Sequence, residues 1–110
     1  QGNYNAAIDE YQKAIQLNPK YAPAYMNLGI TYFYLNQFNQ NIARQKEAIT
    51  LNPNYPDSYF FIAQGYDREN NAQQAITYYR KFLEMSLEQG QYAGYAATAR
   101  ERIAALGGGQ

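Results

Sequence analysis

The chain has 110 residues, of which 46% are hydrophobic and 16% are charged, so it can form one folded unit with a modest core. Nine acidic and nine basic side chains cancel, which removes any overall electrostatic attraction to nucleic acid. Cysteine and histidine are absent, which excludes disulfides, thiolate or imidazole metal sites and the commonest general base.

The first predicted helix covers about residues 4–17. Its apolar residues follow steps of three and four, which places them on one helix face. Asn18-Pro19 ends it, because proline cannot continue a helix. The second helix opens near Pro23 and stops near Leu35-Asn36, where asparagine tolerates the left-handed backbone of a tight turn.

The same cycle then returns along the chain. A third helix is predicted from about Phe38 to Leu51, and a fourth opens at Pro56-Asp57 and runs to about Glu69. A fifth helix is predicted from about Ala72 to Leu87. Because Leu87 stands where the earlier helices are followed by a proline, we expect the fifth helix to run on toward Gln89-Gly90.

Residues of similar chemistry recur thirty-four positions apart, as from Tyr25 to Tyr59. A period of this length indicates a stack of repeated units, because one unit cannot bury its apolar face alone and packs on a copy of itself. The other pairs include Leu28 and Ile62, Tyr32 and Tyr66, Ile8 and Ile42, Ala14 and Ala48, and Pro19 and Pro53.

These residues resemble the pattern of the tetratricopeptide repeat family. The resemblance implies an all-α fold, a right-handed superhelical stack of antiparallel helix pairs, which is an alpha-alpha solenoid. The residues that carry it read Tyr25-x-x-Leu28-Gly29-x-x-Tyr32 with Ala48 and Pro53, and Tyr59-x-x-Ile62-Ala63-x-x-Tyr66 with Ala75, Tyr79 and Phe82.

The resemblance covers nearly the whole chain and implies a single domain over residues 1–106. Its parts are a half repeat with only the second helix (1–19), two repeats (22–54 and 56–88) and a capping helix (91–106). In the capping helix, alanines and Arg100 replace the large residues of the pattern, which suits an outer face that meets solvent. Three glycines follow and predict a flexible tail over 107–110.

Two polar residues break the pattern on the third helix. Asn41 stands where Ala7 and Ala75 stand, and Gln45 stands where a tyrosine is expected. Spaced four apart, the two amides share a face and can hydrogen-bond to each other. They form either a satisfied polar patch at a repeat junction or a weak joint, and in the second case Asn41→Ala would raise stability.

The first helix has no preceding partner helix in this pattern. Part of its apolar face, including Tyr4, Ala7 and Tyr11, is therefore expected to be exposed. Either the natural protein continues upstream or another molecule covers this face. We expect a homodimer through this incomplete N-terminal repeat.

Catalysis finds little support in these residues. The only serines, Ser58 and Ser86, lie on different repeats, and no glycine-rich loop precedes a helix to hold phosphate. We therefore expect no enzyme activity, no cofactor and no metal site. No apolar run approaches the ~20 residues of a membrane-spanning helix, so membrane insertion is not expected either.

In stacks of this family, the first helix of each pair lines a concave groove that holds a peptide or a helix of another protein. The resemblance therefore implies a protein-binding adaptor or scaffold. The capping helix would add Tyr95, Thr98 and Arg102 to the groove, and Asp67 lies there too. The predicted peptide-binding residues are Met26, Asn27, Ile30, Phe33, Tyr34, Phe60, Phe61, Gln64 and Arg68.

Two alternatives remain open at this point. An aromatic stripe at helical spacing is commonly core, so that Phe61 would pack against the capping helix and an upstream helix would cover Met26. The chain would then be a structural spacer or a self-association segment of a longer solenoid. If the groove binds a peptide instead, Phe60→Ala and Phe33→Ala should abolish partner binding while the fold stays intact.

Overall fold

A computed structural model describes residues 3–108, and its described part is a stack of six α-helices measuring 43 × 26 × 21 Å. No strand occurs in that range, so the predicted all-α helical repeat is confirmed. Each helix packs mainly on its neighbours in sequence. The helices are α1 (Tyr4–Leu17), α2 (Ala22–Tyr34), α3 (Phe38–Leu51), α4 (Pro56–Arg68), α5 (Ala72–Met85) and α6 (Ala93–Ala105).

The turns between paired helices depend on left-handed asparagines. Asn36 follows α2 with φ 63° and Asn70 follows α4 with φ 64°. Asparagine adopts this conformation more readily than most residues, so each turn reverses the chain within a few residues. Pro23 and Pro56 lie in the first turns of α2 and α4, where their missing N–H groups leave no hydrogen bond unmade.

The fifth helix is shorter than the sequence predicted. It ends at Met85 instead of running on toward Gln89-Gly90, because the chain turns at Glu88 with φ 64°. A 3₁₀ turn, Gly90–Tyr92, then leads directly into α6. The chain reverses direction between α5 and α6 without a proline and without a left-handed asparagine.

The structure describes two residues, 107 and 108, of the segment 107–110 that the sequence predicts as a flexible tail. Gly107 adopts φ 98°, and the Gly108 N–H donates to the Ile103 carbonyl, so the two glycines close the end of α6. Arg80 also donates to the Gly108 carbonyl at 2.7 Å. Residues 109 and 110 lie outside the described residues.

The largest buried side chains of the aromatic cluster lie between α4, α5 and α6, and the cluster extends to Phe33 of α2. Tyr79 and Phe82 of α5 are completely buried, and Ala63 of α4 and Ala75 of α5 let the two helices approach closely. Large rings alternate with small side chains across this interface. Since α1 and α6 end the stack, each leaves one helix face exposed to solvent.

Asn41 and Gln45 form a buried bridge between three helices. The Asn41 amide donates to the Phe61 carbonyl of α4 at 2.8 Å, and the Gln45 amide donates to the Met26 carbonyl of α2 at 2.9 Å. Gln45 also donates to the Asn41 side-chain oxygen at 3.3 Å, which confirms the predicted contact between them. We call these two residues the amide bridge; both are fully buried.

A glycine in each first helix makes room for the amide bridge. A Cβ atom at Gly29 would lie 2.7 Å from the Gln45 amide nitrogen, and one at Gly65 would lie 3.0 Å from that of Asn41. A methyl group at Gly29 would press on the Gln45 amide, and one at Gly65 would press on the Asn41 amide and, more closely, on Ile42 Cγ1 at 2.7 Å. Both amide nitrogens of the bridge are hydrogen-bonded, and the Asn41 oxygen accepts from Gln45, whereas the Gln45 oxygen is buried without a partner among the described residues. The bridge is therefore a largely satisfied polar patch.

Replacing Asn41 with alanine is expected to lower the free energy of unfolding by about 1–3 kcal/mol, because a buried hydrogen bond to α4 is lost and Gln45 loses an acceptor. Urea unfolding of the purified variant measures the change. Asn39→Ala makes the same substitution at an exposed position of α3 and should change stability by no more than about 0.5 kcal/mol. An Asn41→Ala protein at least as stable as the parent would contradict this interpretation.

Candidate functional site

The candidate site is the shared face of α2, α4 and α6, the first helix of each pair. Rings connect these helices across that face. Phe33 of α2 meets Phe61 of α4 at 5.6 Å between centroids, and Phe60 of α4 stacks on Tyr95 of α6 at 4.2 Å. We call this surface the first-helix face; it comprises Met26, Asn27, Ile30, Phe33, Tyr34, Phe60, Phe61, Gln64, Asp67, Arg68, Tyr95, Thr98 and Arg102.

The three predicted contact phenylalanines are buried within the chain. Phe33, Phe60 and Phe61 expose only 6%, 5% and 4% of their surface. They form the floor of the first-helix face, since Tyr95 lies against both Phe60 and Phe61. Phe61 therefore packs against Tyr95 of the capping helix, as the alternative interpretation of the aromatic stripe expected.

Two tyrosines stand above this floor. Tyr34 is 55% exposed and Tyr95 is 37% exposed. Tyr34 touches Phe33 edge to face at 5.5 Å, so both tyrosines are continuous with the buried rings. Burial raises the pKa of Tyr95, and proximity to Tyr34 and Asp57 raises it further.

The polar residues of the face divide into engaged and available groups. Gln64 donates to the Tyr79 hydroxyl at 3.0 Å, so part of its amide is already used within the chain. Within residues 3–108, no hydrogen bond from another residue reaches the Asn27 side chain, which is half-buried beside Met26 and Ile30. An incoming backbone can therefore bind the Asn27 amide.

Arg68 is a cation held by aromatic rings. Its guanidinium lies 5.1 Å from the centroid of Phe33 and 5.4 Å from that of Phe38, and the residue is exposed. No carboxylate of the described residues pairs with it. A cavity of about 520 Å³ opens beside it, lined by Gln64, Asp67, Arg68, Asn70, Ala72, Arg102 and Leu106.

Arg102 and Asp67 form a salt bridge with each other. Arg102 donates to both Asp67 oxygens, at 2.8 and 2.9 Å, which fastens α6 to α4. The Tyr79 hydroxyl also donates to Asp67 at 2.9 Å. Burial alone would raise the pKa of Asp67, but the hydrogen bonds from Arg102 and Tyr79 outweigh it and hold that pKa below its usual value.

The other end of α6 is fastened by Tyr92, which the sequence did not indicate. Its hydroxyl donates to Asp57, in the first turn of α4. Burial and this carboxylate raise the pKa of Tyr92 to about 12. Tyr92 and Asp57 are thirty-five residues apart, and so are Arg102 and Asp67. This separation is one residue longer than the repeat period, and it is the sequence pattern from which the Tyr92–Asp57 contact could have been predicted.

Among residues 3–108, no cluster of acidic side chains is placed to hold a metal ion. None of the helices in that range is long and apolar enough to cross a membrane.

Comparison with known families settles the relationship. The profile described as "Tetratricopeptide repeat" matches residues 22–55 and 56–89, well over half of the chain, and the "TPR repeat" profile matches residues 1–36. The chain belongs to the tetratricopeptide repeat family. Its α1 corresponds to the second helix of a repeat, α2–α5 form two repeats and α6 is the capping helix.

One curated tetratricopeptide repeat protein is similar over a short stretch. Human tetratricopeptide repeat protein 6 is 51% identical over 39 residues, which cover 36% of this chain and 8% of the human protein. The match therefore spans a small part of that relative.

Solved tetratricopeptide structures share the fold at low sequence identity. The first such domain of Spaghetti (RPAP3), bound to the HSP90 peptide SRMEEVD, has a TM-score of 0.83 at 24% identity, covering 96% of this chain and 82% of that one. The Yersinia enterocolitica chaperone SycD, in complex with a peptide of the translocator YopD, has a TM-score of 0.90 at 14% identity, covering 96% and 80%. The TPR2B domain of yeast Sti1, in a complex with pHsp70, scores 0.85 at 19% identity, covering 96% and 83%.

Replacing Asp67 with asparagine is expected to lower the free energy of unfolding at neutral pH by about 1–3 kcal/mol, because the hydrogen bonds from Arg102 lose their charged acceptor. Asp9→Asn, at an exposed position of α1, is the matched control.

The effect should depend on pH. Because the folded pKa of Asp67 lies below 3.8, its stabilisation is present above that pH and is lost as the pH falls through the folded value. Chemical unfolding of parent and Asp67→Asn proteins across an acid series measures this. A stability difference that persists unchanged below the folded pKa would argue against an ionised Asp67 as the acceptor.

Proposed function

We propose that this protein is a protein-interaction module that binds a peptide or a helix of a partner protein along its first-helix face. The observation that carries this proposal is the exposed pair Tyr34 and Tyr95 over a floor of buried rings. Tyrosine gives a large contact area with few rotatable bonds, so it loses little entropy when a partner covers it.

The buried rings beneath Tyr34 and Tyr95 preorganise the site for binding. Phe33 and Phe61 pack edge to face, and Tyr95 lies flat on Phe60 with an angle of 1° between the rings. Side chains held in this way already have the conformation that a bound peptide meets. Apolar or aromatic side chains of the partner are the groups that such a surface selects.

Polar groups along the same face supply orientation. Asn27 offers an unoccupied amide on α2, and Arg68 offers an unpaired guanidinium on α4, within the described residues. Between them lie half-buried apolar side chains, including Ile30. A few polar contacts within an apolar surface are typical of sites that fix the register of a bound peptide.

The solved relatives support this assignment. The Spaghetti (RPAP3) domain and SycD are each described as bound to a peptide, and the Sti1 domain as part of a complex with pHsp70. By the family resemblance, the first-helix face of this chain is the surface that corresponds to a peptide groove. Aromatic and amide groups along this face support the proposal of an adaptor surface, because such groups can contact the side chains and backbone of a peptide.

Tyr34→Ala is expected to weaken binding of a selected peptide by about tenfold or more without unfolding the protein, because the removed ring is mostly exposed. Peptides selected from a random library on the parent protein are the ligands, and isothermal titration measures their Kd. Tyr21→Ala removes a 51% exposed ring outside the first-helix face and is the matched control.

Phe33→Ala and Phe60→Ala are poor tests of binding, because both rings are buried and their loss should cost about 3–5 kcal/mol of stability. Selected peptides that bind Tyr34→Ala and the parent equally well would contradict a contact at this face. If the peptides lose affinity for Tyr21→Ala instead, the result would indicate a binding site at the loop before α2.

A second candidate function is a spacer or self-association segment. The observation that favours it is α1, which has no buried residue and carries Leu17 at 88% exposure. Contiguous exposed apolar side chains favour association. Tyr34 stacks on Tyr4 of α1 at 6.4 Å between ring centroids, so a change at Tyr34 affects both surfaces. Leu17→Asp changes an exposed side chain of α1 outside the first-helix face, and it should weaken a homodimer while leaving peptide binding unchanged.

A further inference from the structure

The junction between α2 and α4 is packed with aromatic rings, whereas the equivalent junction between α4 and α6 contains a cavity. In the first junction, the Arg68 guanidinium lies over the rings of Phe33 and Phe38. One repeat later, Asp67 and Ala72 stand at the positions of these two phenylalanines. Smaller side chains therefore replace both rings between α4 and α6. The cavity of about 520 Å³ beside Arg68 lies at this second junction, and we call it the inter-repeat cavity.

Contacts inside the stack shape the inter-repeat cavity. Its walls come from α4, the turn after it, the start of α5 and the C-terminal end of α6. Helix α5 packs on both α4 and α6, and the Arg102 side chain fastens α6 to α4. Four of the lining residues belong to the first-helix face, namely Gln64, Asp67, Arg68 and Arg102. A segment bound along that face can therefore place a side chain in the cavity.

The lining of the cavity carries an excess of positive charge. Its charged residues are two arginines, Arg68 and Arg102, and one carboxylate, Asp67. Asp67 already accepts hydrogen bonds from Arg102 and from the Tyr79 hydroxyl. Within residues 3–108, no carboxylate forms a salt bridge with Arg68. The uncompensated charge therefore belongs to Arg68, and an anion is the ligand that balances it.

Three lining residues have hydrogen-bond donors to spare. Arg102 uses its Nε and Nη2 groups on Asp67, so its Nη1 group remains available. Among the described residues, neither the Arg68 guanidinium nor the Asn70 side chain donates to another residue. A phosphate monoester offers three strong acceptor oxygens, whereas a carboxylate offers two. The number of available donor groups therefore favours a phosphate over a carboxylate.

The Arg68 guanidinium is held in place before any ligand binds. Its distances to the ring centroids of Phe33 and Phe38 are 5.1 and 5.4 Å, so two cation–π contacts restrict it. Arg68 is nevertheless exposed and accessible. A planar guanidinium binds phosphate through two parallel hydrogen bonds, and a restricted one loses less entropy when it does so.

We propose that the inter-repeat cavity binds a phosphorylated side chain of the partner segment. Arg68 supplies the charge and the paired hydrogen bonds, and Arg102 and Asn70 supply further donors. The inference rests on the proposed function for the identity of the partner, because the rest of the segment lies along the first-helix face. Phosphorylation of the partner then strengthens binding, since an uncharged side chain leaves the Arg68 charge unbalanced.

Titration of the ¹⁵N-labelled protein with capped phosphoserine tests the cavity without a peptide. At about pH 7.5 the phosphate carries close to two negative charges, and NMR follows the Arg68 Nε–H signal. The signal should shift to saturation with a Kd of ~1–10 mM, and capped glutamate should bind about fivefold more weakly or worse. A shift that does not saturate by ~50 mM would overturn the proposal. Equal binding of capped glutamate would overturn it in favour of a carboxylate site.

Four variants locate the bound phosphate. Ala72→Phe restores the ring that Phe38 supplies one repeat earlier, so it should fill the cavity and abolish binding, as should Arg68→Gln. Asn70→Gly removes the amide, keeps the left-handed turn at φ 64° and should weaken binding severalfold. Arg100→Gln removes an exposed arginine outside the first-helix face and is the matched control. Binding that survives Arg68→Gln, or that Arg100→Gln reduces equally, would overturn the proposal. Thermal unfolding checks that each variant is folded.

A peptide selected on the parent protein distinguishes failure of the phosphate site from failure of the proposed function. Serine and phosphoserine are compared at each peptide position by isothermal titration. At one position phosphoserine should strengthen binding about tenfold or more, and this gain should vanish in Ala72→Phe and persist in Arg100→Gln. Peptides that depend on Tyr34 but gain nothing from phosphoserine would overturn the phosphate site alone. Saturable binding of capped phosphoserine by a protein whose peptides ignore Tyr34→Ala would support the phosphate site and contradict the proposed peptide contact.

Discussion

Two buried amides on α3 determine how the first helices of the two repeats are held. The amide bridge bonds to a backbone carbonyl on each side, Met26 in α2 and Phe61 in α4, and its members also bond to each other. Helix carbonyls are already partly satisfied along the helix axis, so a side-chain donor must approach closely and at a fixed angle. Gly29 and Gly65 allow this approach. The spacing of α2 and α4, and with it the first-helix face, depends on the bridge.

The first-helix face and the capping helix share their side chains. Asp67 and Arg102 were expected in the groove, yet they fasten α6 to α4. Tyr95 serves both purposes, since one side of its ring covers Phe60 and the rest remains exposed. Binding at this face is therefore coupled to the position of α6, while Tyr34 and Arg68 on the neighbouring helices remain available to a partner.

Sequence reasoning predicted the helices well because their ends carry local signals. Asn18-Pro19 and Asn52-Pro53 follow α1 and α3, and the predicted span of α3 is confirmed at both ends. The end of α5 was missed because Glu88 takes a left-handed conformation without being glycine or asparagine. The repeat period alone could not predict that Phe60 is buried. Whether this ring is exposed or covered depends on the side chain of α6 that lies against it. Here that side chain is Tyr95.

A double-mutant cycle on Asn41 and Gln45 tests the amide bridge most directly. Asn41→Ala, Gln45→Ala and the double variant are unfolded in urea, and the difference between the double effect and the summed single effects gives the coupling free energy. The bridge predicts a coupling of about 0.5–3 kcal/mol, since each amide depends on the other for its position. Effects that add to within about 0.3 kcal/mol would show that the two amides bind α2 and α4 independently.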